Sequence, residues 1–356
     1  MTHRARRLPA CAGRLLGVLS SATGLVLLAL AVPKAAGTDW SAVRDRLAHL
    51  GGAQLALMCA AAAAALWTYT YVLTAALPGL TRRQALLVHC TGSAVSNLLP
   101  LGGGAGVAVT YAMTRRWGHP PGAVAVCVAL TGVCNVAARL FLSAVGALLL
   151  ARTAVPGIGW AAAAGAVVLV LPAAYAAVRP VVRRHRAHRV RRPPAPAGAP
   201  RRRITAGARR LAAGVRTGRD VLRRSWPQLA CAMTATLAAQ GALFLVCLQA
   251  AGARTGWGDA LAVFAASRLL TQIAVTPGGI GVTESAAAVA LVALGGAPAA
   301  VAAALLLFAA FTHLLEIPLG ALTGALWLLH PGARRPAPAP AAPSQGNTPR
   351  DRVRSP

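Results

Sequence analysis

Apolar runs of bilayer-spanning length alternate with short arginine-bearing stretches along most of this chain. Leu15–Val32 carries no charge, and as a helix it would measure about 27 Å, close to hydrocarbon thickness. Gly52–Leu77, Ala123–Ala151, Ile158–Val178, Gln228–Ala251 and Ala299–Leu329 are comparable runs. The pattern predicts an all-α polytopic membrane protein with about six spanning helices. Ala299–Leu329 is too long for one straight span and is expected to kink near His313, Glu316 and Pro318.

Two further apolar stretches are interrupted. The first, 84–114, breaks at Pro100-Leu101-Gly102-Gly103-Gly104-Ala105-Gly106 and is flanked by arginine pairs, Arg82-Arg83 and Arg115-Arg116. Arginine marks the cytoplasmic side, so both ends lie inside and the segment is expected to be a re-entrant hairpin. The second, 261–294, breaks at Pro277-Gly278-Gly279-Ile280-Gly281 and by parity dips from the outside. Two half-helix pairs entering from opposite faces would form an inverted repeat, a transporter arrangement whose helix ends meet near the midplane. Alternatively, each break is an ordinary loop between two complete helices, still requiring cover by protein or water.

Composition sharpens this picture. Of 356 residues, 56% are hydrophobic and 12% charged, more apolar surface than a single soluble core absorbs. The net charge of +29 comes from 36 basic against 7 acidic residues, and every basic residue except Lys34 is arginine. Arginine abundance on that scale follows GC-rich coding, so its position carries the information. The cluster Arg179–Arg224 lies between apolar segments, where it fixes topology and meets anionic lipid. No folded module supports nucleic-acid binding by this tract. Inside it, Ile204, Ala208, Leu211, Val215, Leu222 and Trp226 share one helical face, as an interfacial amphipathic helix would; an unstructured arginine-rich tether is the alternative.

The chain thus divides into a basic cytoplasmic N-terminus (1–14), a first membrane half (15–178), an arginine-rich cytoplasmic loop (179–226), a second membrane half (227–330) and a disordered cytoplasmic tail (331–356). The expected location is the cell membrane, multi-pass, with both termini inside. Basic Arg4, Arg6 and Arg7 precede a long run without a small-residue cleavage site, so the first helix is expected to be retained.

Few ionisable groups fall at membrane depth: Arg139, Arg268, Glu284 and Glu316. Each needs a partner or water there. Asn135 lies one turn before Arg139 on the same face, and together they suit a phosphate or carboxylate, because planar guanidinium donors grip two oxygens. Glu284 falls in the first turn after Gly281, where it either caps a helix or binds a cation, a proton or a positively charged headgroup. Glu316 is expected to pair with Arg139 or His313. Glycines at half-helix starts expose N–H groups to an anion. The candidate substrate-binding set is therefore Asn97, Pro100, Gly102, Gly103, Gly104, Asn135, Arg139, Arg268, Pro277, Gly278, Gly279, Gly281 and Glu284. No cofactor or metal is expected: Cys59, Cys90, Cys127, Cys134, Cys231 and Cys247 lie in apolar segments without CxxC or His-rich spacing and read as small buried hydrophobes.

Ser96-Asn97-Leu98-Leu99-Pro100 with its following glycines, Arg139, and Pro277-Gly278-Gly279-Ile280-Gly281-Val282-Thr283-Glu284 together resemble the lysylphosphatidylglycerol synthase transmembrane-domain family, which includes the flippase half of the bacterial multiple peptide resistance factor. The likeness covers roughly Leu15–Leu329 and looks like an actinobacterial branch; no region remains for the soluble aminoacyl-transferase domain of full-length synthases. It implies a helical, flippase-like membrane domain. Two departures stand out. Val107-Ala108-Val109 follows Gly106 where the family often has Gly-Glu and an arginine, and Ala138 precedes Arg139 where an acidic residue is common. Lysylphosphatidylglycerol is accordingly not carried over as substrate.

The expected function is a non-enzymatic, flippase-like transporter of a phospholipid or lipid-linked polar headgroup, with membrane lipids as partners. A membrane glycosyltransferase is the enzymatic alternative, opposed by the lack of an Asp-x-Asp pair or general base at a membrane surface. A third alternative is a noncatalytic scaffold whose arginine-rich loop positions a partner enzyme of envelope lipid assembly. For topology, cysteines introduced beside Trp40 and Arg254 should react with an impermeant thiol reagent in intact cells, while one beside Pro196 should not. Labelling at Pro196 alone would invert the arrangement.

Overall fold

A computed structural model describes residues 26, 28–99, 102–150, 200–271 and 280–329, apart from the side chains of 102, 200–212 and 269. A helical stretch over 28–36 ends at Gly37, whose φ of +72° favours glycine. It is followed by α1 (Trp40–Ala48), α2 (Gly52–Ala76), α3 (Arg82–Leu98), α4 (Gly102–Arg116), α5 (Pro121–Leu150), α6 (Pro200–Ala250), α7 (Trp257–Leu270), α8 (Val282–Ala293), α9 (Pro298–Ala309) and α10 (Glu316–Leu329). Among the described residues there is no strand. α3 begins where Thr81 and Gln84 cap reciprocally, the Gln84 N–H donating to Thr81 Oγ1 at 3.3 Å and the Thr81 N–H to Gln84 Oε1 at 3.0 Å.

Four stretches are long and apolar enough to cross a membrane: α2, α5, the 213–250 part of α6, and the α9–α10 column Pro298–Leu329. They correspond to the second, third, fifth and last expected spans. The Ile158–Val178 span, most of Leu15–Val32, and the tail lie outside the described residues. Leu57 and Trp67 on α2 and Val133, Phe141 and Leu148 on α5 are exposed, the apolar surface that lipid covers in a membrane protein. Cys90, Cys127 and Cys247 are buried as expected, but Cys59 and Cys231 are exposed on α2 and α6. A lipid-facing position accepts a small apolar side chain as readily as a core does.

The expected kink in the last span is a π-helical turn, Ala310–Leu314, closed by a bond of 2.8 Å from the Leu315 N–H to the Ala310 carbonyl. Pro318 has no N–H to offer Leu314, which loosens the ladder at this turn. A second difference concerns the arginine-rich region. The boundary expected between 226 and 227 falls inside α6, a single helix of 51 residues that runs through Pro227. Its 213–226 part is the extension of a spanning helix, not a separate interfacial one. Gly214 and Gly218 bring it against Val126 of α5, while Val215, Leu222 and Trp226 are exposed. Close packing on α5 carries the helix through a proline that would otherwise end it.

The two interrupted segments each fold as helix pairs, α3 with α4 and α7 with α8. Their arms, of 17, 15, 14 and 12 residues, span about 18–26 Å at 1.5 Å per residue, short of a hydrocarbon core. Small residues set the tightest crossings. A Cβ on Gly106 would collide with Ser96 and lie 2.8 Å from the Gly92 carbonyl, and one on Gly320 would collide with Ala94 and the Cys90 carbonyl, so α3 meets α4 and α10 nearly backbone to backbone. At the α5–α7 crossing a Cβ on Gly146 would lie 2.6 Å from both the Ala262 carbonyl and the Ala265 Cβ, and Ser143 Oγ donates to the Ala265 carbonyl at 2.9 Å.

Packing separates the interior into two apolar clusters. One gathers Met58, Ala62, Phe244, Phe264, Leu291, Leu305 and Phe308; the other Val72, Leu77, Val88, Met113, Cys127, Leu130, Leu229 and Met233. Helices α2, α5 and α6 run through both, and between the clusters each carries polar side chains: Thr68 and Tyr69, then Asn135 and Arg139, then Thr236 and Gln240. Thr236 Oγ1 donates to Thr68 Oγ1 at 3.0 Å across α6 and α2 in this layer.

Gly146→Leu should lower stability by about 1–3 kcal/mol through overpacking at the α5–α7 crossing. Gly258→Ala, with open space around it, should not. Thermal melting of the detergent-solubilised protein, followed by size-exclusion chromatography, compares the two.

Candidate functional site

The polar layer opens as a cavity of about 520 Å³. Every side of it comes from a different element. α2 supplies Tyr69, α3 supplies His89, Ser93, Ser96 and Asn97, and α4 supplies Gly103, Gly106 and Thr110. α5 supplies Thr131, Asn135 and Arg139, α6 supplies Thr236 and Gln240, α7 supplies Arg268 with Thr271 just beyond it, and the π turn and α10 supply Thr312, His313 and Glu316. The C-terminal ends of α3 and α7 and the N-terminal end of α4 therefore meet here, and α8 joins through Glu284.

One wall is cationic. Arg139 Nε donates to Asn135 Oδ1 at 3.1 Å, as the one-turn spacing predicts, and its Nη1 donates to Thr271 Oγ1 at 2.5 Å. Thr271 Oγ1 in turn donates to the Arg268 carbonyl at 2.6 Å, so one hydroxyl ties both arginine-bearing elements together. Arg268 is 6% exposed, and its guanidinium carbon lies 4.6 Å from the Phe264 ring centre and 5.4 Å from that of Phe308. These rings pack with Phe244, whose centroid is 5.4 Å from Phe264 and 5.2 Å from Phe308. Arg268 Nε and Gln240 Oε1 are buried without a hydrogen-bond partner among the described residues. Buried polar atoms of that kind mark strain or a ligand.

The facing wall is acidic and amide-lined. Asn97 Nδ2 donates to Glu316 Oε2 at 3.1 Å and to the His313 carbonyl at 3.4 Å. The π turn leaves that carbonyl available, since widening the helix removes it from the regular ladder. Behind it, Glu284 Oε2 accepts the Gly281 N–H at 2.8 Å, and Glu284 Oε1 lies 3.8 Å from His313 Nε2. Glu284 thus caps α8, as one sequence alternative held, and also faces a histidine. Gly281 has a φ of +88°, which reserves the position for glycine. Tyr69 and His89 stack at 4.3 Å along the same cavity.

Of the candidate residues, Asn97, Gly103, Asn135, Arg139 and Arg268 line the cavity, and Glu284 reaches it through His313. Gly104 and Gly281 are not part of its lining, and Gly102 lies outside what is described there. Pro100, Pro277, Gly278 and Gly279 lie outside the described residues. Glu316 accepts the Asn97 amide and lies within electrostatic reach of Arg139 and His313, the alternatives expected for it, while His313 Nε2 is 3.8 Å from Glu284. Tyr69, His89, Gln240, Thr271, His313 and Glu316 belong to the lining and were not in the candidate set. Their signal was present only as polar residues within apolar runs, where helix periodicity alone does not say which faces meet.

A match to a family profile places these features. Comparison with curated proteins finds no match. The profile described as the lysylphosphatidylglycerol synthase TM region matches residues 15–320, a stretch that takes in both broken helix pairs and every lining residue of the cavity. By that match the chain belongs to the lysylphosphatidylglycerol synthase transmembrane-region family, and it is a membrane protein.

Proposed function

We propose that the cavity holds the polar headgroup of a phospholipid or lipid-linked sugar and passes it between leaflets, a flippase-like transport activity without covalent chemistry. The observation that carries the proposal is the cationic wall. Arg139 and Arg268 lie together at cavity depth, and neither forms an ion pair among the described residues. An arginine at the centre of a bilayer costs about 3 kcal/mol on insertion scales, more than hydroxyl and amide partners readily offset. A phosphate offsets it well, because its oxygens accept charge-assisted, bidentate bonds from guanidinium donors. Membership of a family named for lipid synthesis supports a lipid as the source of that phosphate.

The short helix pairs fit the same function. In this proposal α3–α4 and α7–α8 are re-entrant hairpins entering from opposite faces, related as an inverted repeat, with both termini cytoplasmic. Their ends at the polar layer present helix dipoles to a headgroup, as broken helices do in transporters. The loop and tail arginines then contact anionic lipid at the cytoplasmic leaflet.

In proteoliposomes carrying fluorescent phospholipids or lipid-linked sugars, the wild type should exchange lipid between leaflets faster than empty vesicles. Arg139→Leu and Arg268→Leu should each lower that rate at least about tenfold, the effect of losing one charge-assisted contact. Arg139→Leu should also keep its melting temperature while losing lipid-dependent protection from heat. Wild-type exchange no faster than empty liposomes across a broad lipid panel would favour the scaffold function instead.

A further inference from the structure

From the geometry around the π turn we infer that His313, 3.8 Å from Glu284, is a proton-binding site linked to headgroup occupancy, so that an anionic headgroup enters the cavity together with a proton. The inference rests on the proposed phosphate site at Arg139 and Arg268.

His313 Nε2 lies 3.8 Å from Glu284 Oε1, with the histidine side chain 18% exposed and that of the glutamate 3%. The imidazole therefore reaches the cavity, while the carboxylate behind it is closed off. Glu284 is held in place because its other oxygen accepts the Gly281 N–H. Glu316, three residues along from His313, faces the cavity and is held by Asn97, which also fixes the His313 carbonyl. The imidazole lies 3.8 Å from a buried carboxylate, and its cavity-facing edge gives a proton a route from water.

The other ionisable groups that face the cavity are Tyr69 from α2, His89 from α3, Cys127 and Arg139 from α5, and Arg268 from α7. The arginines keep their charge at any ordinary pH. His313 is the cavity-lining histidine within 4 Å of a carboxylate, whereas His89 stacks on Tyr69. A proton on His313 adds one positive charge to the polar layer and so favours an anion there. By reciprocity, an anion on the arginine wall favours the proton. The proton adds to imidazole nitrogen from water and leaves the same way, with no other bond changed.

The test uses the full chain in detergent and dihexanoylphosphatidylglycerol, whose phosphodiester does not titrate near neutrality. Calorimetric titration in two buffers of different ionisation enthalpy reads the protons taken up on binding. The wild type should take up between about half and one proton per lipid at neutral pH, and its affinity should fall as pH rises, by at most about tenfold per unit. His313→Gln should lose most of the uptake and most of the pH dependence. Glu284→Gln keeps an oxygen for the Gly281 N–H and should shift the pH dependence to lower pH, which covers the case in which the histidine variant does not fold.

Wild-type binding without proton uptake and with flat affinity from about pH 6 to 8 overturns the linkage and leaves the lipid site standing. Unchanged uptake in a folded His313→Gln overturns the assignment to this residue. No binding at any of these pH values overturns the phosphate site, and the linkage with it.

Discussion

Interior polar groups in this fold need partners or water, and the chain has little acid with which to provide them. Only seven of its residues are acidic, and two of those, Glu284 and Glu316, reach the interior. Neither is spent on a direct ion pair with an arginine. Glu284 takes a backbone N–H and faces His313, and Glu316 takes the Asn97 amide. The arginines hydrogen-bond to an amide and two hydroxyls, and Arg268 lies against the faces of two aromatic rings. Opposite charges are thus kept on opposite walls of one cavity, an arrangement that an isolated, ligand-free protein would have every electrostatic reason to collapse.

What prevents collapse is the packing above and below. Apolar clusters on either side of the polar layer anchor α2, α5 and α6, while glycine crossings pull particular helices together elsewhere. Gly146 locks α5 to α7, and Gly320 locks α10 to α3. These contacts leave almost no room for a Cβ, so the pairs behave as rigid units. The phenylalanines Phe244, Phe264 and Phe308 close the apolar cluster over Arg268 and keep its guanidinium in a fixed plane.

The all-helical membrane class was legible from run length alone, because twenty apolar residues in a row have few other physical meanings. The helix pairs at 84–114 and 261–294 were legible too, since proline and glycine interrupt them while the flanks stay apolar. Arg139 with Asn135 follows from helical spacing, and the contact between them is as expected. The partner of Glu316 was not legible. Asn97 is 219 residues away, and only the close crossing of α3 and α10 brings it there. The continuity of α6 through Pro227 was hidden for a related reason: local propensity argues for a break, and the tertiary contact of Gly214 and Gly218 with α5 overrides it.

The rigid pairs also divide by charge. Arg139 and Arg268 belong to α5 and α7, while Asn97 and Glu316 belong to α3 and α10. The cavity lies between the two pairs, and the glycine crossings lie within them. Rocking one pair against the other would preserve both crossings and change only the separation of the charged walls, the movement that alternating access requires. A headgroup with its phosphate on the arginine wall would draw the walls together, and its departure would release them. His313 sits at the one place where the acidic wall departs from regular helix. A π turn is widened by an extra residue, so shifting it by one position moves a side chain without breaking a small-residue interface. Charge, packing and irregular backbone therefore meet at the same residue, where the proposed transport cycle would be coupled.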